Sequence, residues 1–205
     1  MSGTKIKICG LFRPCDAEFV NSAQPDFAGF VFYEKSRRNV TPQEAKKLRE
    51  AISPEIRTAG VFVDASLERI AALYREGTIG IVQLHGREDD LFIERLRQTL
   101  PQAEIWKAFK IRSEKDLLAA ERSCVDRVLL DNGYGTGECF DWSLMKSFSR
   151  PFILAGGLTP QNIPGAVSRF HPYAVDLSSG VEKDGLKDRD KIAAAVKAVK
   201  STEEY

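Results

Sequence analysis

A chain of 205 residues, 43% apolar and 29% charged, has the composition of an ordinary globular protein and the length of one domain. Its formal net charge of +1 gives no bulk attraction to nucleic acid, membrane or acidic partners, so any anion site has to be local. The four cysteines (Cys9, Cys15, Cys124, Cys139) form no C-x-x-C pair, and the two histidines, His85 and His171, lie far apart. That excludes a plain structural zinc pattern, predicts no metal site, and suits a reducing cytoplasm.

Met1–Lys5 runs into an apolar stretch with no basic-then-apolar leader pattern, and no apolar run approaches the roughly 20 residues of a membrane span. Short runs rich in Val, Ile and Phe then alternate with amphipathic stretches. The predicted strands are Lys5–Cys9, Phe27–Phe32, Arg57–Val63, Gly80–Leu84, Glu104–Phe109, Arg127–Leu130, Pro151–Ala155 and Ala174–Leu177. They are largely apolar on both faces, as expected of strands covered outside and packed inside. Thr41-Pro42-Gln43-Glu44 reads as an N-cap followed by proline, Ser66-Leu67-Glu68-Arg69 opens a helix, and Thr159-Pro160-Gln161-Asn162 repeats the cap-then-proline device. Asp190–Val199 gives the last helix. The fifth connection, about Ser113–Arg122, is the weaker helix, and the sixth, around Asp141–Ser147, is short. Eight strands with helical connections predict an α/β fold, one (β/α)8 TIM barrel over residues 1–205, with a weak or short fifth helix.

In such a barrel the C-terminal strand ends form the active rim. They supply Cys9-Gly10, the Lys35-Ser36-Arg37-Arg38 cluster, Asp64, His85-Gly86, Lys110, Asp131-Asn132, Gly156-Gly157 and Asp176 with Ser178-Ser179-Gly180. Gly156, Gly157, Ser178, Ser179 and Gly180 follow strands seven and eight, the common phosphate position, where glycines let backbone N–H groups approach an anion. Taken singly they also read as tight turns. Cys9 reads as a small core residue or as a base needing a neighbouring positive charge or donor. Asp131 reads as a turn aspartate or as an acid beneath the Gly133–Gly137 loop. One cation among Lys35, Arg37 and Arg38 suits a substrate carboxylate, since an arginine fork matches that group. His85 reads as a turn residue or a site residue, while Trp106 and Trp142 read as packing.

Lys7-Ile8-Cys9-Gly10, Gly29-Phe30-Val31-Phe32, Ser36-Arg37-Arg38, Gly60-Val61-Phe62-Val63 and Val82-Gln83-Leu84-His85-Gly86 occur in one order. They are followed by Leu129-Leu130-Asp131, Phe140-Asp141-Trp142, Ala155-Gly156-Gly157-Leu158 and Val175-Asp176-Leu177-Ser178-Ser179-Gly180-Val181-Glu182. This ordered set closely resembles the phosphoribosylanthranilate isomerases of tryptophan biosynthesis, from Lys5 to about Lys200. The resemblance implies a cofactor-free Amadori rearrangement of a phosphoribosyl substrate, third from chorismate, with Asp131 as general acid and Cys9 as general base. It implies that Arg38 holds the anthranilate carboxylate and that Asp176 contacts ribose hydroxyls; from its strand-end position His85 is a further substrate-binding candidate. It places the phosphate on Gly156, Gly157, Ser178, Ser179 and Gly180. No nucleic-acid, membrane or obligate protein partner is implied.

The chain departs from the family pattern at Leu11-Phe12-Arg13-Pro14 and at Glu138-Cys139, where lysine and threonine are usual. Glu138 is expected to face solvent. Two other readings have discriminators. The related histidine-pathway isomerase would place an aspartate at the first strand end, and a silent phosphate-ligand sensor would not need both Cys9 and Asp131.

Overall fold

The computed structural model describes residues 3–131 and 148–203. Eight parallel strands close into a barrel in chain order: β1 (Lys5–Cys9), β2 (Phe27–Phe32), β3 (Arg57–Phe62), β4 (Ile81–Leu84), β5 (Glu104–Lys110), β6 (Arg127–Asp131), β7 (Phe152–Ala155) and β8 (Ala174–Leu177). Each boundary lies within one residue of the apolar run that predicts it. Seven helices are described: α1 (Pro14–Ala23), α2 (Pro42–Ala51), α3 (Leu67–Arg75), α4 (Asp90–Thr99), α5 (Glu114–Arg122), α6 (Ile163–Phe170) and α7 (Arg189–Lys200). A two-stranded antiparallel ribbon, β9 (Glu182–Lys183) with β10 (Leu186–Lys187), follows β8.

Local chemistry sets the helix starts. Thr41 caps α2 by accepting the Glu44 N–H, while Glu44 accepts the Thr41 N–H at 2.8 Å, a reciprocal capping box. The fifth connection forms a regular nine-residue helix. Asp116 turns back to accept from the N–H groups of Arg112 and Ser113 at 3.0 and 2.9 Å, satisfying donors the helix end would leave open. Thr159-Pro160 does not start a helix, contrary to its cap-then-proline reading. Asn162 accepts the Thr159 N–H at 2.8 Å and donates to the Gly157 carbonyl at 3.0 Å. That closed turn delays α6 to Ile163. The sixth connection, at Asp141–Ser147, lies outside the described residues.

Strand alternation divides the apolar side chains into two cores. The outer one joins the outward faces of the strands to the helices, with Ile8, Phe30, Phe62, Leu84, Leu130 and Val175 among its members. The inner one fills the barrel with Phe27, Ala59, Ile81, Trp106, Leu129, Ile153, Ala155 and Ala174. Trp106 packs edge-on against Phe27, with ring centroids 5.1 Å apart, and donates its indole N–H to Glu104 at 2.8 Å. This is the packing role read from the sequence. Trp142 lies outside the described residues.

Strand register then levels the rim. Paired positions run from Lys110 to Asp131, Ala155, Asp176 and Lys7, across β5, β6, β7, β8 and β1. Cys9 is the next residue of the same parity above Lys7.

Trp106→Ala removes the largest fully buried side chain of the inner core and should lower unfolding free energy by about 3–5 kcal/mol. Urea denaturation would show a lower midpoint with an unchanged slope, and an unchanged midpoint would refute the packing account.

Candidate active site

Cys9 closes β1 as a buried residue, and Asp131 closes β6, half-buried. Barrel closure separates β6 from β1 by three strand steps of about 4.8 Å along the wall, so thiol and carboxylate stand on different sides of one opening. His85 lies beside the carboxylate, its Nε2 3.5 Å from Asp131 Oδ2, and its Nδ1 is 3.4 Å from Gln83 Nε2. His85 therefore belongs to the rim, in contact with the expected acid.

The thiol has a charged setting. Burial pushes the Cys9 thiol above its ordinary value; Lys7 pulls it down without cancelling that effect, Asp176 pushes it up and Lys187 pulls it down. Lys7 is buried completely and donates to Asp176 Oδ2 at 2.9 Å. Burial works against its charge, yet Asp176 and Cys9 together hold its pKa above the usual lysine value. The other oxygen of Asp176, Oδ1, is buried and accepts no bond from the described residues. Asp176 therefore has one oxygen paired with Lys7 and one buried oxygen without a partner among the described residues.

Arg38 is the inward member of its cluster. Its side chain is 19% exposed, against 60% for Arg37, and Lys35 is exposed. Gly10, with φ of +79°, lies directly beneath it, so any Cβ there would overlap the Arg38 stem. Arg38 donates from Nε and Nη2 to the two oxygens of Glu182 at 2.6 and 2.8 Å. Glu182 also accepts from Arg37 at 2.7 Å and from Lys187 at 2.7 Å. Burial raises the Glu182 carboxyl, but the bonds from Arg38 and Lys187 outweigh it and hold it below the ordinary glutamate value. Burial is the main cause lowering Lys187.

The ribbon makes this cluster. Asp184 and Gly185 carry φ of 53° and 79°, the two positive angles of a type I′ hairpin, for which Asp-Gly is a preferred pair. The turn brings Lys187 opposite Glu182. Lys187 then donates to the Ser178 carbonyl at 2.9 Å, and the Ser178 hydroxyl donates to the Cys9 carbonyl at 3.1 Å. Arg13, one of the departures from the family pattern, donates to the Lys187 carbonyl at 2.6 Å and pairs with the buried Asp16 at 2.7 Å. It pins the start of α1 to the ribbon.

The two glycine-rich loops meet. Gly156 and Gly157 have φ of 90° and 65°, and Ser179–Val181 forms one 3₁₀ turn after β8. Gly180 sits so close to the Leu158 carbonyl that no side chain fits between them. Gly156, Gly157, Ser178, Ser179 and Gly180 thus occupy adjoining loops, with the Ser178 hydroxyl tying β8 to β1. Asp64 stands apart from this group, accepting the Arg87 N–H at 2.6 Å, a bond that lowers its carboxyl. The Gly133–Gly137 loop, Glu138 and Cys139 lie outside the described residues.

Three residues of the site escape a reading of strand ends. Lys7 carried only a faint signal, since it shares parity with Cys9 on β1 but so does Lys5. Glu182 and Lys187 carried another, the Asp184-Gly185 turn midway between them. Among the described residues, no cluster of His, Cys, Asp and Glu has the arrangement of a metal site.

The family model described as N-(5'-phosphoribosyl)anthranilate (PRA) isomerase matches residues 6–198. The chain is 43% identical to the N-(5'-phosphoribosyl)anthranilate isomerase of Endomicrobium trichonymphae over 202 residues, 96% of this chain and 98% of that protein. It is 40% identical to the Acetivibrio thermocellus enzyme, over 98% of this chain and 97% of that protein. The crystal structure of phosphoribosyl anthranilate isomerase from Thermotoga maritima superposes with a TM-score of 0.87 at 36% identity, covering 97% of this chain and 99% of that one. A phosphoribosyl anthranilate isomerase in complex with reduced 1-(o-carboxyphenylamino)-1-deoxyribulose 5-phosphate superposes with a TM-score of 0.85 at 35% identity and the same coverage. This chain belongs to the N-(5'-phosphoribosyl)anthranilate isomerase family.

Proposed function

We propose that the chain is an aldose–ketose isomerase that converts N-(5'-phosphoribosyl)anthranilate into 1-(2-carboxyphenylamino)-1-deoxyribulose 5-phosphate. This is the third step from chorismate to tryptophan, and it proceeds here without a cofactor. The observation that carries the mechanism is a thiol and a carboxylate ending different strands of one rim, the thiol beside Lys7 and the carboxylate beside His85. Asp131 donates a proton to the furanose ring oxygen, the ring opens, and the nitrogen lone pair forms an iminium at C1′. The cationic nitrogen acidifies C2′–H. Cys9, as thiolate, takes that proton and leaves an enolamine, which tautomerises to the ketone. One proton has left the carboxyl and one has reached the thiol, so exchange with solvent restores both groups. Such a pair needs opposite protonation states at one pH.

The remaining residues position the substrate in this proposal. Arg38 uses Nε and Nη2 on Glu182, which turns its Nη1 edge toward the anthranilate carboxylate. The buried Asp176 Oδ1 accepts from a ribose hydroxyl. His85 orients Asp131 and lines the substrate. Backbone N–H groups of Gly156, Gly157, Ser178, Ser179 and Gly180 receive the phosphate. No described helix is long and apolar enough to cross a membrane. The proposed setting is the cytoplasm, with a small phosphoribosyl ligand and no nucleic-acid, membrane or obligate protein partner.

Freshly generated phosphoribosylanthranilate loses anthranilate fluorescence as it rearranges. The purified chain should accelerate that loss, and Cys9→Ser and Asp131→Asn should each reduce kcat by about 10²–10⁴-fold while remaining folded. Turnover by both variants at the wild-type rate would refute the assigned roles. Because the Cys9 thiol sits above its ordinary value, kcat/KM should rise with pH through the alkaline range; a flat profile there would argue against a thiolate base.

Glu182 gives a second pH signature. A carboxyl held below its unfolded value stabilises the fold at pH above that value, near 4.3, and loses the contribution as pH falls through the folded value. Wild type should therefore melt above Glu182→Gln at pH 7, and the gap should close on acidification below about pH 4. A gap of constant size would show that the carboxylate charge is not its source.

A further inference from the structure

Lysine is a compact, strongly hydrated cation, so a fully buried one marks a place where its charge is paired or put to use. Lys7 sits in the barrel wall with no exposed surface, two residues below Cys9 on the same face of β1. Its stem and the thiol lie against one point of β2. A Cβ built on Gly29 would come within 2.9 Å of Cys9 Sγ and 3.1 Å of Lys7 Cε. Gly29 is the register partner of Cys9, so its missing side chain makes room for both groups.

Four charged side chains face the thiol: Lys7 from β1, Asp176 from β8, Lys187 from β10 and Arg38 from the loop after β2. Lys187 and Arg38 share the single carboxylate of Glu182, at 2.7 Å for the lysine and 2.6 and 2.8 Å for the arginine, and Lys187 still pulls the thiol down, though less than Lys7 does. Lys7 meets one oxygen of Asp176, and its ammonium lies within the same buried space as the sulfur.

We infer that Lys7 is the positioning residue for the base: its charge, acting through Cys9, stabilises the thiolate in the substrate-free protein. The inference rests on the reading of Cys9 as the base. It separates Lys7 from a merely structural partner of Asp176 by sign. Lys7 favours the thiolate and Asp176 opposes it, and this is the direction in which each moves the thiol. Neutralising the two residues one at a time should therefore shift the thiol in opposite directions. The pairing also explains why a thiol held this deeply can serve as a base. An opposite charge inside a low-dielectric wall acts on it far more strongly than a surface charge would.

The test is the pH dependence of Cys9 alkylation by iodoacetamide. It uses the full-length chain with Cys15, Cys124 and Cys139 replaced by serine, and folding is checked by circular dichroism. Lys7→Met should raise the alkylation midpoint by about one pH unit or more, and the alkaline limb of kcat/KM should move with it. Asp176→Asn should lower the midpoint, and Lys7→Arg should restore it toward wild type. If Lys7→Met does not fold, Asp176→Asn still decides, since a charge account requires its downward shift. Unmoved midpoints, or shifts of the same sign in Lys7→Met and Asp176→Asn, would overturn the inference. An inactive Cys9→Ser enzyme alongside unmoved midpoints would remove the Lys7 coupling alone. Opposite shifts alongside a fully active Cys9→Ser enzyme would uphold the coupling and remove Cys9 as the base.

Discussion

A lysine with no access to water has to find an anion within the protein, and here the neighbouring strand supplies it. The Lys7–Asp176 pair lies across the seam where β8 meets β1 and the barrel closes, with the two residues in direct register. Removing both charges from water costs several kcal/mol per ion, so the pair is weak evidence for stability and better evidence for a site. It leaves Asp176 with one buried oxygen still to be met and sets a positive charge below Cys9. The same seam therefore holds both the proposed acceptor for a sugar hydroxyl and the surroundings of the proposed base.

A second carboxylate organises the rim above it. Glu182 gathers Arg37, Arg38 and Lys187, and Lys187 reaches on to the Ser178 carbonyl. The loop after β2, proposed to hold the aromatic carboxylate, and the loop after β8, proposed to hold the phosphate, are thereby tied to one group. Bidentate bonding fixes the plane of the Arg38 guanidinium before any ligand arrives, which lowers the ordering cost of binding. In the proposed mechanism Cys9 and Asp131 then face a ligand held at both ends.

Much of this was readable from the chain because the barrel places chemistry at strand ends. Each apolar run stops on the residue that reaches the rim, so Cys9, His85, Asp131 and the glycine pairs could be named before any coordinates. Lys7 was not readable as a site residue. Strands buried on both faces show no contrast between inward and outward positions, so only closure reveals that it shares a wall with Cys9 and Asp176. Glu182 and Lys187 meet through a short hairpin whose Asp-Gly signal is local, while its consequence, the clamp on Arg38, is 144 residues distant. Thr159-Pro160 misled because a threonine before proline suits a helix cap, yet Asn162 ties back to the Gly157 carbonyl, and α6 begins only after it.

The central claim is that Cys9 and Asp131 act on one bound sugar phosphate from different sides. The most direct measurement is a crystal structure of this chain with reduced 1-(o-carboxyphenylamino)-1-deoxyribulose 5-phosphate. The account predicts Cys9 Sγ within about 3.5 Å of the ligand's C2. It also predicts the Asp131 carboxyl in hydrogen-bond reach of the hydroxyl that was the ring oxygen, with the phosphate at the loops after β7 and β8. A ligand bound with its C2 turned away from Cys9, or with Asp131 out of reach of that hydroxyl, would contradict it.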